Sequence, residues 1–157
     1  MNTVEAARRW AMVWRSGWES RDTDSIVALY AADARHWSAP FREPGIGQAG
    51  VRAYVEASFD EEDEIRAWFA EPIVDGDQAA VSWWATLIEA GRETTLAGTS
   101  VLRFDGSGLV VSQWDSWNQT DGRQEPAPDW AGNLADSLGA AYPSACGHGL
   151  RGNRLSR

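Results

Sequence analysis

Residues 102–117 read LRFDGSGLVVSQWDSW, and their punctuation decides the architecture. Asp105-Gly106-Ser107-Gly108 is a cluster of turn formers, since glycine accepts unusual dihedrals and Asp and Ser bond their own backbone. On both sides the sequence takes on a period of two, the spacing of a half-buried strand. Glu93 to Phe104 therefore reads as one strand and Leu109 to Gln119 as the next. Upstream, Ala79 to Glu89 is a further strand, joined to Glu93–Phe104 by a hairpin turn at Ala90-Gly91-Arg92. Asp75-Gly76-Asp77 is a turn before it. Ile65 to Val74 also alternates, but Pro72 has no N–H for a ladder and marks an edge or a bulge.

The N-terminal half has a different period. Asn2 and Glu5 have capping-box spacing. Val4, Ala7, Ala11, Trp14 and Trp18 then recur at helical intervals, which predicts a helix over about residues 3–20. Asp22 caps a second helix with Ile26, Leu29 and Tyr30 on its apolar face, running to about Ala32. Residues 35–38 read as a short strand, followed by a loop. Gln48 to Phe59 is a third helix, with Val51, Tyr54, Val55 and Phe59 on one face. The acidic run Asp60–Glu64 reads as its solvated end. Helices followed by antiparallel strands make an α+β domain. Beyond Gly122 the composition turns to Pro, Ala, Gly and Arg. Residues 1–132 are read as the domain, and 133–157 as a flexible tail with a short helix around Leu134–Leu138.

Composition removes several function classes. The chain has 157 residues, enough for one domain with a core and a pocket. Its formal net charge is -9, which argues against a nucleic-acid partner. Every one of the 14 basic residues is Arg, so Schiff-base chemistry on lysine is excluded. The histidines are His36 and His148 and the single cysteine is Cys146, so neither a multi-His zinc site nor an internal disulfide is expected. No metal and no cofactor are expected. The N-terminus shows no secretory pattern and no apolar run suits a membrane span, so the chain reads as cytoplasmic, without a membrane partner. Gly45 to Gly50 spells GxGxxG, but Pro40-Phe-Arg-Glu-Pro44 before it is not the buried strand that a dinucleotide site needs. Ten tryptophans are a heavy load for this length and point to a thick core or an aromatic-lined cavity.

The stretches DTDSIVALYAADA (22–34), APFREPGIGQAGVRAY (39–54), GDQAAVSWW (76–84) and LRFDGSGLVVSQWDSW (102–117) resemble the nuclear transport factor two-like superfamily. More narrowly, they resemble its SnoaL-like polyketide cyclase and ketosteroid isomerase-related branch. The resemblance implies a cone-like curved antiparallel sheet wrapped around the N-terminal helices, with a pocket inside. It implies that Val81, Trp83, Ala85 and Leu87 face inward, as do Gly98, Ser100 and Leu102. Trp14 and Tyr54 would look into the same space, and His36 and Ser38 share a face of the first strand. If Asp115 points in, so do Gln113 and Trp117. Trp10, Trp68, Trp84 and Trp114 are placed on other faces or at an interface.

The resemblance also allows the reactions of the branches to be compared. Where the steroid isomerases carry their Asp base, this chain has Ala39. Their oxyanion-hole Tyr and Asp fall on Trp14 and Ser100. The charged set of the epoxide hydrolases is incomplete, because Val81-Ser82-Trp83-Trp84-Ala85 has no charge. The acid/base Asp of the cyclases is compatible with Asp115.

Burial of Asp115 among indoles would disfavour its charged form, the condition under which a carboxyl serves as acid or base near neutral pH. His36 is the second catalytic candidate, as a proton carrier, and would meet Asp115 through substrate or a water. The substrate-binding candidates are Trp14, Tyr54, Trp83 and Trp117 as walls, with Ser38, Ser100 and Gln113 as polar contacts. The plainer alternative leaves Asp115 on the solvent face, or inward and paired structurally, with His36 a structural residue. The functional expectation is a cofactor-independent enzyme that cyclises or isomerises a hydrophobic, polyketide-like or cyclic small molecule, working as a homodimer. A non-catalytic binding domain and a dimeric assembly module stand beside it.

Overall fold

The computed structural model describes residues 1–130. The expected tail at 133–157, its short helix, Cys146 and His148 lie outside the described residues.

Helix α1 spans Thr3–Ser20 and opens on the capping box, with the Glu5 N–H on Asn2 Oδ1 at 2.9 Å. Its buried face carries Ala7, Trp10, Ala11, Trp14 and Trp18, whereas Val4 is exposed. Helix α2 spans Thr23–Val27, shorter than the spacing predicts. It stops because Tyr30 already begins strand β1, Tyr30–Trp37. The Leu29 carbonyl accepts the Val110 N–H at 2.9 Å, so sheet pairing overrides the helical stripe. Strand β2, Gly45–Ile46, pairs with β1, and helix α3 spans Gly47–Glu61. The glycines between them are structural. Gly47 has φ +64°, and a Cβ there would stand 2.5 Å from the Ala32 carbonyl oxygen.

Strand β3 spans Glu62–Phe69 and β4 spans Ile73–Asp75. One strand was expected from Ile65 to Val74. Instead the chain breaks before Pro72, and both pieces pair with the same neighbour, β5, Gln78–Glu89. Strands β6, Arg92–Phe104, and β7, Val110–Asp121, follow as predicted. The order across the curved, unclosed sheet is β2-β1-β7-β6-β5-β3, with β4 also on β5. One pairing corrects the antiparallel expectation: β1 runs parallel to β7, with His36 beside Gln113 and Trp37 beside Trp114. Helix α1 packs on β3, β5 and β6, and α3 on β1, β2 and β3. The inner face of the sheet and these helices enclose the core. Among the described residues no helix is long and apolar enough to cross a membrane.

Candidate functional site

Spacings of four residues put Trp10, Trp14 and Trp18 on one face of α1. Their rings form a chain: Trp10 to Trp14 is 5.9 Å between centroids, Trp14 to Trp18 6.3 Å, and Trp18 to Trp83 of β5 5.7 Å. These indoles line a cavity of about 360 Å³ between α1, α3 and the sheet. Tyr54 and Phe59 of α3, and Ser100, Asp115 and Trp117 of the sheet, also line it. Trp10 was expected on another face. It belongs here, because its spacing from Trp14 leaves it no other side.

Asp115 is inward and buried, as the period of β7 requires, with Trp114 and Ser116 exposed on either side. Its carboxylate is held by donors from three strands, β1, β6 and β7. The Ser100 hydroxyl donates to Oδ1 at 2.6 Å, and the Gln113 amide N–H reaches both oxygens at 3.0 Å. His36 Nε2 lies 2.9 Å from Oδ2. Donors of this kind offset the cost of burying the charge.

The network has a direction. Trp14 Nε1 and Trp10 Nε1 donate to the Tyr30 hydroxyl at 3.0 and 3.4 Å. Tyr30 then has one proton to give, and it goes to Gln113 Oε1 at 2.5 Å. That bond turns the Gln113 N–H groups toward Asp115. Burial above all, with the Asp115 charge adding to it, pushes the Tyr30 phenol well above its usual range, so it remains a donor. On the other flank Trp83 Nε1 donates to Ser100 Oγ at 3.1 Å, which sends the Ser100 proton to Asp115. His36 Nδ1 is buried without a partner among the described residues. The tautomer that satisfies the most groups therefore carries its proton on Nε2, toward Asp115.

The sequence-predicted residues divide accordingly. Trp14, Tyr54, Trp83, Ser100, Asp115 and Trp117 line the cavity. His36 and Gln113 do not reach it; they stand behind Asp115 and touch it directly, so no substrate or water mediates the His36 contact. Ser38 is also off the cavity wall. It is buried, and its carbonyl accepts the Trp117 N–H at 2.8 Å, which fixes that ring rather than a ligand.

The sequence reading missed Trp18 and Tyr30 as parts of the site, and above all the carboxyl of Glu62. It sits in the acidic run read as solvated, yet it is 8% exposed and lines the cavity. The signal was present: Val51, Val55 and Phe59 form a stripe, and Glu62 continues it three residues on. Trp18 Nε1 donates to Glu62 Oε2 at 2.7 Å. Burial raises the Glu62 carboxyl to about 7, with the Trp18 bond working against the rise and the Glu89 charge adding to it. Among the described residues no three His, Cys, Asp or Glu side chains converge as a metal ion would need.

A family model described as a SnoaL-like domain matches residues 10–113. Among solved structures, RV0760c from Mycobacterium tuberculosis is similar with a TM-score of 0.66 at 16% identity, over 78% of this chain and 99% of that one. A hypothetical protein with a ketosteroid isomerase-like fold from Catenulispora acidiphila, in complex with trimethylamine, is similar with a TM-score of 0.59 at 14% identity. That match covers 66% of this chain and 81% of the other. At these identities the likeness to both structures is one of fold.

Proposed function

The chain belongs to the SnoaL-like domain family, and from that premise we propose that it takes a hydrophobic small molecule into the indole-lined cavity and moves a proton on it, with Asp115 as the base and no cofactor. One observation carries the reading: a carboxylate on the cavity wall, oriented by Ser100 beside it on the wall and by Gln113 and His36 behind it. A base locked in this way needs little reorganisation before it accepts a proton from carbon, and His36 steadies whichever state results. Tyr54 supplies the hydrogen bond to the oxygen on which charge develops. Burial, then the Asp115 charge, push its phenol well up, so the hydroxyl stays protonated at the wall. Trp14 cannot serve there, because its N–H is committed to Tyr30. Proton transfer of this kind leads to isomerisation or to ring closure.

The test uses 2-tetralone, an apolar ketone with an exchangeable α-proton, in deuterated buffer. Exchange read by NMR should exceed the buffer rate. Asp115→Asn should lower the enzymatic rate by about 10²–10⁴-fold while binding persists. Equal exchange by Asp115→Asn and the parent chain would overturn the catalytic role.

A specific observation also favours a homodimer. Trp37 and Trp114 stack at 3.7 Å, and Trp114 and its cross-strand neighbour Val101 are 46% and 43% exposed. Adjacent apolar groups of this size mark interfaces, and we place the second copy on this outer face of the sheet.

A further inference from the structure

A further carboxyl on the cavity wall, Glu62, forms no ion pair among the described residues, and the only charge favouring its ionised form is the more distant one of Arg21. Glu62 Oε2 takes the Trp18 N–H, while Oε1 has no hydrogen-bond partner among the described residues. Arg21, at the end of α1, is close by but turned elsewhere. Its guanidinium donates to the carbonyls of Phe59 and Glu62 and to the Asp63 carboxylate. The other charged groups that line the cavity are Glu61 from α3, Glu89 from β5, Asp115 from β7 and, from the loop after β1, Arg42. Carboxyls thus outnumber the guanidinium around this space.

The aromatic lining sharpens the point. Each indole N–H on the wall is already bonded within the protein: Trp10 and Trp14 to Tyr30, Trp18 to Glu62, Trp83 to Ser100, Trp117 to the Ser38 carbonyl. What these side chains offer a ligand is therefore ring surface, not donors. Ring faces carry a negative quadrupole and attract cations. Trp18 and Trp83 meet edge to face at an interplanar angle of 76°, beside Glu62.

We infer that the cavity binds a hydrophobic organic cation, a protonated or quaternary amine, with its charge against Glu62 and its apolar body across Trp18 and Trp83. This rests on the small-molecule reading above and names the class of molecule. A buried carboxyl without a counter-ion is costly, and a ligand that supplies one recovers that cost on binding. Glu62 near neutrality is in keeping with it: the empty site shares a proton with solution, and a cation draws the group into its ionised form.

The experiment compares benzyltrimethylammonium with its uncharged carbon isostere, neopentylbenzene, each titrated into the full chain and read by intrinsic tryptophan emission. The probe's charge is permanent, so any pH effect belongs to the protein. At pH 8 the cation should bind at least about tenfold more tightly than the isostere, and about tenfold more weakly at pH 6 than at pH 8, as one ionising group near pH 7 requires. Glu62→Gln should abolish both effects. Equal affinities for the two probes, a flat pH profile, or an undiminished preference in Glu62→Gln would overturn the inference and leave the hydrophobic pocket standing. Failure of both probes to bind would bring down the pocket reading and this one with it.

Discussion

Replacing Glu62 by Gln keeps the side chain's shape and an oxygen for the Trp18 N–H, and removes the charge. Burial lifts the Glu62 carboxyl from its ordinary 4.5 to about 7 in the folded chain. Below 4.5 the group is protonated whether the chain is folded or not, so burial of charge costs nothing. Between 4.5 and about 7 the unfolded chain releases the proton and the folded chain keeps it, so stability falls as pH rises. Above that window the cost is complete. At roughly 1.4 kcal/mol for each pH unit of the window, it reaches about 3 kcal/mol. Urea denaturation followed by tryptophan emission measures it directly. The stability of Glu62→Gln relative to the parent chain should rise by about 3 kcal/mol between pH 4 and pH 8, a midpoint shift of roughly 1–2 M urea for a domain of this size. Any fixed cost of the new amide cancels in that comparison. A difference that stays constant from pH 4 to pH 8 would show that Glu62 titrates alike in the folded and unfolded chain, and would refute the reasoning.

Tyr30→Phe removes the hydroxyl that receives Trp10 and Trp14 and orients Gln113; it should cost roughly 2–4 kcal/mol in thermal or urea melts, and a cost below 1 would mean the network is not held together there. Gly98→Ala puts a Cβ 2.6 Å from the Ser116 carbonyl oxygen and 2.8 Å from the Trp83 ring, so calorimetry should find about 1–3 kcal/mol of lost stability; an unchanged melting temperature would show slack between β5 and β7. Trp114→Arg places a charge at the exposed Trp37 stack; light scattering should find a dimer for the parent chain, as proposed, and a monomer for the variant. A mass unaffected by the change would move the second copy off this face.

The last strand was readable because a period of two admits no compromise. Once Asp115 is inward, Gln113 is inward too and Trp114 is outward, and the structure has them so. The capping box of α1 was equally plain, since its bonds are local. Tyr30 was misread because its spacing from Ile26 suits a helix, while the contact that decides its conformation comes from Val110, far along the chain. Trp10 was misplaced although α1 itself dictates its side. Glu62 was hidden by its neighbours: an acidic run looks solvated, and only the turn of backbone from α3 into β3 carries one member inward. The residues around Asp115 were named together, but their division into cavity wall and support was not read. That division depends on depth behind the sheet surface, and the period of a strand records which side a residue faces, not how far it reaches.

The parallel pairing of β1 with β7 also sets an order of events. Every other long pairing in the sheet joins strands that are neighbours or near neighbours in sequence, and hairpins of that kind close early, with little loop entropy to overcome. Strand β1 has no such partner; apart from the short β2 it must wait for residues 110–121. As the chain leaves the ribosome, Tyr30 and His36 emerge long before Gln113 and Asp115. Until the last strand docks, Trp10 and Trp14 have their hydroxyl acceptor on a strand not yet fixed in the sheet, and the carboxylate has only its β6 and β7 neighbours. The β5–β6 hairpin can thus mature on its own, while the hydrogen-bonded cluster around Asp115 is assembled in the closing step, when nearly the whole domain has been made.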